Sequence, residues 1–265
     1  MRMCHRLWAA LLLAIVAGAA PPNDFRFSIV GDRTGAAVPG VYQQVWREVD
    51  RLRPDFVINV GDTIEGGSDG SVEAQWKEIR ALLDPYRRYP LYYVAGNHDI
   101  WSSFSRQVFE RETGRPASYS FDWQNAHFTV LDNSGSLDLG PDQMRFLEQD
   151  LQRNRERHPK FVFFHQSFWL LFLKFQSGAF PLHRLAKEYG VDYVITGHGH
   201  QYVRMERDGI VYLQVGSSGA RVDPSFPEGL FYQHIWVEVK GAQAHFTVKE
   251  LAAPFGEGRS FSAGD

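Results

Sequence analysis

A single cysteine, Cys4, is present in 265 residues. That excludes an intramolecular disulfide framework and any Cys-x-x-Cys zinc or redox motif. A metal site in this chain must be built from imidazole, carboxylate and amide groups. Charge of one sign is also scarce: 28 Lys and Arg stand against 31 Asp and Glu, a formal net charge of −3. No basic cluster stands out along the chain, which argues against a nucleic-acid polymer as partner, because such binding needs a concentrated cationic surface. There is no internal repeat and no low-complexity run. Beyond the N-terminus, no apolar stretch approaches the roughly 20 residues that a helix needs to cross a bilayer. With 44% hydrophobic and 22% charged residues, the composition is that of a globular chain whose length fits one large domain.

At the N-terminus, Arg2 and Arg6 flank the start of an apolar run over 7–16, and small residues fill 17–20 ahead of Pro21-Pro22. This is the layout of a secretory signal peptide. Proline directly after a scissile bond is awkward, so cleavage is expected after Ala19, which removes the cysteine. Residues 1–19 are thus read as a signal peptide for export to a periplasm or the extracellular space, a retained anchor being the alternative. One domain over 20–251 is expected to follow. The Gly-, Ser- and Ala-rich tail, 252–265, is expected to fray.

Between these ends, short β-rich runs alternate with amphipathic segments. Residues 25–31, 56–60, 91–95, 161–164 and 191–196 read as buried strands. Pro39 opens a helix that sets Val41, Val45, Val49 and Leu52 on one face, and further helices are expected over 72–83, 143–154 and 182–189. Residues 118–122 and 127–131 read as a hairpin. Later strands fall at 202–207, 211–215, 235–239 and 245–248. Early βα units followed by late hairpins imply a mixed α/β arrangement.

Polar residues stand where these strands end. Asp32, Asp62, Asn97-His98, His165, and His198 with His200 each follow an apolar run. In open α/β sheets, ligands bind at the carboxyl ends of strands, so these segments can converge. Imidazole and carboxylate together suit Mn, Fe or Zn, and the lack of thiolates argues against a closed structural zinc site. Seven or eight such groups are too many for one ion, but they suit two ions that share a bridging carboxylate. Such a pair, roughly 3.5–4 Å apart, clamps an in-line displacement at phosphorus and lowers the pKa of bound water to about 7. Hydrolysis of a small phosphoester is the expected chemistry.

In order and spacing these residues resemble the calcineurin-like metallophosphoesterases over about residues 25–249. That family's slots are D-x-H, G-D, G-N-H-(D/E), a lone H and G-H-x-H. Here they read Asp32-Arg33-Thr34, Gly61-Asp62, Gly96-Asn97-His98-Asp99, His165 and Gly197-His198-Gly199-His200. The resemblance implies a four-layer α/β/β/α sandwich of two mixed β-sheets flanked by helices, with a dinuclear site at one end. It implies that Asp62 bridges two divalent or trivalent ions, with Asp32 and His200 on the first and Asn97, His165 and His198 on the second. His98 would protonate the leaving oxygen, with Asp99 orienting its ring.

One slot departs from the family, since Thr34 stands in place of the His of D-x-H. The purple acid phosphatase branch also lacks that His and uses a tyrosine three residues after the bridging Asp. Position 65 here is Glu65, expected to supply an oxygen to the first ion, with a solvated loop acid as the alternative. Arg33 is a candidate for a substrate phosphate, because guanidinium matches phosphate oxygens in a bidentate way. His127, His234 and His245 lie in β-rich runs and read as structural. Gly216-Ser217-Ser218-Gly219 lacks the spacing of a serine nucleophile elbow.

Residues 168–175 form a dense apolar run directly after His165. Either this run folds as a helix on the core, or part of it stays exposed as a platform for a membrane surface or a lipid-linked phosphate. Trp101, Phe104 and Phe109 are candidates for the same wall. Against the hydrolase stand two other classes, a degenerate non-catalytic phosphate- or metal-binding protein of the same fold, suggested by Thr34, and a membrane-associated interaction module. The loops carry no signature that selects monoesters, diesters or pyrophosphates, and oligomeric state is not legible.

Overall fold

A computed structural model describes residues 24–175 and 180–264. The signal-peptide reading of 1–19 lies outside the described residues. In chain order, the first half runs β1 (Phe25–Val30), α1 (Val41–Leu52), β2 (Phe56–Asn59), α2 (Val72–Leu83), β3 (Leu91–Tyr93) and α3 (Ser103–Thr113). Then come β4 (Tyr119–Trp123), β5 (Ala126–Val130), α4 (Pro141–Arg153), β6 (Lys160–Phe163), α5 (Trp169–Lys174), α6 (Pro181–Glu188) and β7 (Tyr193–Thr196). The chain closes with β8 (Val203–Arg207), β9 (Ile210–Gln214), β10 (Gln233–Lys240), β11 (Gln243–Glu250) and β12 (Ser260–Ser262).

The strands form two six-stranded sheets, ordered β12-β11-β10-β1-β2-β3 and β4-β5-β6-β7-β9-β8. Both are mixed: β1, β2 and β3 are parallel while β10 runs against β1, and β5, β6, β7 and β9 are parallel between antiparallel edges β4 and β8. The period of two along each strand sorts side chains to the two faces. In β2, Phe56 and Ile58 face the other sheet, whereas Val57 faces the helices. Between the sheets, Phe27 stacks on Phe56 at 4.9 Å and Phe128 on Phe161 at 4.7 Å, with Phe27 edge-on to Phe161 at 5.6 Å. Each of these fully buried rings contributes about 1.5–3 kcal/mol of burial free energy.

Helices α1 to α3 cover the outer face of the first sheet through Val41, Val45, Trp46, Trp76, Ile79 and Phe109. Helices α4 to α6 cover the second through Leu147, Leu151, Trp169, Leu182 and Ala186. The result is the α/β/β/α sandwich implied by the sequence. Helix α3, in a stretch whose polar and aromatic character gave no clear period, is started by a capping box in which Ser102 and Ser105 satisfy each other's backbone N–H groups.

Two segments differ from expectation. The tail does not fray: β12 pairs with β11, and Arg259 bonds both oxygens of Glu250, at 2.6 and 2.8 Å. Its guanidinium lies 3.5 Å over the Phe226 ring, and Phe261 packs on Tyr202 and Phe231. A three-residue strand has too short a pattern to show in the sequence, and its partner is set by the fold. It also covers a sheet edge that would otherwise be open. The apolar run 168–175 contains the short helix α5, which buries Trp169 and Leu173 while leaving Leu171 and Phe175 exposed, at 63% and 69%. Phe109 and Trp101 join the core under α1 to α3, on the other sheet, so they are not part of that wall. Among the described residues no helix is long and apolar enough to cross a membrane.

Candidate metal centre

The carboxyl ends of β1, β2, β3, β6 and β7 meet at one end of the sandwich, and the strand-end residues converge there. Asp62 occupies the middle. Its Oδ2 lies 3.2 Å from His165 Nε2, and its Oδ1 accepts the backbone N–H of His98 at 2.9 Å. Donor atoms of Asp62, His165 and His198 lie within 4.8 Å of one another, and so do those of Asp32, Asp62 and His200. Asp62 belongs to both groups.

The local backbone is shaped for this convergence. Asp62, His198 and His200 all have left-handed φ, at 54°, 72° and 51°. For residues with a Cβ this conformation costs energy, and such strain persists where the surrounding fold over-determines it. Gly61, at φ 107°, precedes Asp62 in a position where a Cβ would collide with His165 Nδ1. At Gly96 a Cβ would collide with Asp62 Oδ1. The close approach of three loops therefore depends on these two glycines.

Hydrogen bonds then fix which atoms face inward. His165 Nδ1 donates to the Val60 carbonyl at 2.8 Å, which leaves Nε2 toward Asp62. His198 stands edge-on to His165, with ring centroids 5.1 Å apart. His200 Nε2 lies 3.4 Å from Asp32 Oδ2. Both carboxylate oxygens of Asp32, Asn97 Oδ1 and His165 Nε2 are buried without a hydrogen-bond partner. Leaving such groups unsatisfied costs on the order of 1–3 kcal/mol each, more when charged, so the cluster is built to receive something with positive charge.

The electrostatics agree. Burial opposes a charge on His165, yet the Asp62 carboxylate outweighs it and lifts the imidazole to about 10. Burial likewise opposes protonation of His200, but the adjacent Asp32 carboxylate raises it. His198 goes the other way, lowered by burial and by the neighbouring His165. The carboxylates thus favour positive charge on His165 and His200, in the place where cations fit. The Asp32, Asp62, His200 group is carboxylate-rich, whereas the Asp62, His165, His198 group is imidazole-rich and suits borderline metals.

Two sequence candidates, Glu65 and Asp99, point elsewhere. Glu65 joins neither donor group: its Oε1 accepts the Ala37 backbone N–H at 2.8 Å, so its carboxylate belongs to the 34–37 loop. Asp99 does not orient His98. It is buried, with Oδ1 accepting from Thr63 and Ile64 N–H at 2.9 and 3.2 Å and Oδ2 from Gly96 N–H at 2.9 Å. Burial first, then the charge of Asp62, pushes it up to about 7, against those three donors. It braces the two loops that carry Asp62 and Asn97. The His98 ring is held by a backbone group instead, its Nδ1 lying 2.6 Å from the Glu65 carbonyl. Arg33 donates from Nη1 to the Thr63 carbonyl at 3.1 Å, a contact that ties two loops and uses one of the five guanidinium N–H groups.

Sequence reasoning missed Asn133. Its Oδ1 accepts the backbone N–H of both His165 and Gln166 at 3.0 Å, and its Nδ2 donates to the carbonyls of Leu137 and Gln166. The signal was present, because Asn133 follows β5 just as the candidate ligands follow their strands. Of the histidines read as structural, His127 is held between Asp122 and Asp150 at 2.7 and 2.8 Å, and His234 is buried 3.6 Å from Glu48.

The chain is similar to known proteins in sequence and in fold. The sequence profile of the calcineurin-like phosphoesterases matches residues 25–202. Human tartrate-resistant acid phosphatase type 5 is 25% identical over 82% of this chain and 79% of its own. Purple acid phosphatase 23 of Arabidopsis thaliana is 26% identical over 59% of this chain, which spans only 40% of that protein. Among solved structures, the purple acid phosphatase PPD1 from yellow lupin (Lupinus luteus) seeds superposes with a TM-score of 0.64 at 18% identity, covering 90% of this chain and 53% of that one, a likeness of fold.

Proposed function

Because the chain belongs to the calcineurin-like phosphoesterase family, we propose that it is an exported, metal-dependent hydrolase of small phosphoesters, with a dinuclear centre bridged by Asp62. The observation that carries this reading is that Asp62 is common to two donor groups, in which the Asp32 oxygens and His165 Nε2 are buried without a hydrogen-bond partner. Asp32, Asp62 and His200 would hold one ion, and Asp62, Asn97, His165 and His198 the other, drawn from Mn, Fe or Zn. When bound, two such ions supply Lewis-acid charge for phosphoryl oxygens and a nucleophile at neutral pH.

The chain's own residues do the rest. Val60 and Asn133 fix His165, and Asp99 locks the loops of Asp62 and Asn97 at a set spacing. His98 Nδ1 donates to the Glu65 carbonyl, so Nε2 is the atom that would carry the proton delivered to the leaving oxygen. Protein stripped of metal by chelation and gel filtration should hydrolyse neither a chromogenic phosphomonoester nor a phosphodiester, and added Mn²⁺ should restore turnover on at least one. Turnover that survives chelation would overturn this reading.

A second feature bears on substrate. Leu137, Leu171 and Phe175 are exposed, at 64%, 63% and 69%. The Leu137 carbonyl hangs on Asn133, the residue that seats His165, and α5 begins four residues after His165. Exposed apolar side chains on the segments that follow Asn133 and His165 favour an amphipathic phosphoester or a membrane surface over a fully polar substrate. The signal-free protein should co-sediment with phospholipid vesicles; recovery wholly in the supernatant would remove this part of the reading.

A further inference from the structure

We propose that Glu65 is a positioning residue joining both halves of the site, its carboxylate closing the 34–37 loop over His200 while its carbonyl holds the His98 ring. The carboxylate accepts the Ala37 N–H at 2.8 Å. Gly35, in the middle of the loop, rests against the His200 ring so closely that a Cβ there would collide with Cε1. The Glu65 carbonyl lies 2.6 Å from His98 Nδ1.

Three more bonds stitch the 33–37 loop to the segment that carries Glu65. The N–H groups of Arg33 and Thr34 donate to the Asp62 carbonyl at 3.2 and 3.1 Å, and Arg33 Nη1 donates to the Thr63 carbonyl at 3.1 Å. The Glu65 carboxyl titrates below its usual range. Burial opposes this, and the Thr34 hydroxyl with the N–H groups of Ala37, Ala36 and Gly35 outweighs it. The Ala37 N–H already claims this carboxylate, so moving it to an ion would strand that donor. Glu65 therefore works through His200 and His98, and its effect on metal binding is indirect.

The inference rests on the reading of His98 and His200 as site residues, and its test does not require turnover. Amide hydrogen exchange is followed at residues 35–37 in the metal-free and Mn²⁺-loaded full chain, together with Mn²⁺ titration. In the wild type these amides should be equally protected in both forms. Glu65→Ala should speed their exchange by about 10-fold or more, the equivalent of a lost charge-assisted hydrogen bond. It should also weaken Mn²⁺ binding by roughly 10–100-fold, as expected for a group that orients a ligand. Glu65→Gln, which keeps one acceptor oxygen, should restore most of both. At saturating Mn²⁺ the pH profile of kcat in Glu65→Ala should match the wild type, because the backbone carbonyl that holds His98 remains.

Loss of protection at 35–37 on loading the wild type would mean that the carboxylate leaves the loop for the ion, and would overturn the proposal. Unchanged exchange in Glu65→Ala would do the same. A wild type that binds Mn²⁺ and keeps 35–37 protected but hydrolyses nothing would sink the phosphoesterase reading and leave this one standing.

Discussion

Asp62→Asn is expected to reduce bound metal to well below one equivalent per chain and to lower turnover by about 1,000-fold or more. No other residue belongs to both donor groups among the described residues, so this change removes one negative charge from two sites at once. Metal polarisation contributes several kcal/mol to a phosphoryl transition state, and each 1.36 kcal/mol is a factor of ten in rate. Asparagine suits the test because it keeps the shape of the side chain and tolerates the left-handed φ of 54° at this position. Its amide oxygen can still accept the His98 N–H. The thermal midpoint of the metal-free variant should therefore stay close to that of the metal-free wild type. Two retained metals with normal turnover would rule out a bridging role for Asp62.

His98→Ala should have the second-largest effect, with a different signature. The imidazole belongs to neither donor group, and its Nδ1 is held by a carbonyl, so metal content should not change. Loss of a general acid lowers kcat by roughly 10²–10⁴-fold. The loss should be greatest for alkyl phosphates, whose leaving oxygen needs a proton, and smallest for aryl phosphates with an acidic phenol. Steady-state kinetics across a leaving-group series measures this as a steeper dependence on leaving-group acidity in the variant. A uniform loss across the series, accompanied by loss of metal, would instead make the His98 ring a prop for the segment that carries Asp62 and Glu65, through its bond to the Glu65 carbonyl.

How much of this site can be read from the sequence depends on what determines each residue's direction. Asp32, Asp62, Asn97, His165, His198 and His200 are legible because each ends an apolar strand, and parallel strands carry such residues to one end. Most strands and helices are legible because period-two and helical patterns are local properties of the chain, whereas their division into two sheets comes from the family resemblance. Glu65 and Asp99 show where this stops. Both stand beside site residues, but their carboxylates are claimed by backbone N–H groups of loops whose course no local pattern specifies. Asn133 had the same strand-end signature as the ligands yet lies outside the motifs, and its role appears only once β5 is seen beside β6. The tail shows another limit: Phe261 and Arg259 find their partners across the sandwich edge, on elements far away in sequence.

Elemental mass spectrometry on the gel-filtered, signal-free protein, run beside hydrolysis of chromogenic monoester and diester substrates, tests the shared-carboxylate centre most directly. About two metal equivalents per chain, with turnover that follows metal content as ions are withdrawn and returned, is the expected result. Less than one equivalent with no turnover at any added Mn²⁺ concentration would contradict it, and would make the protein a non-catalytic member of its family whose strand-end cluster no longer holds a metal pair.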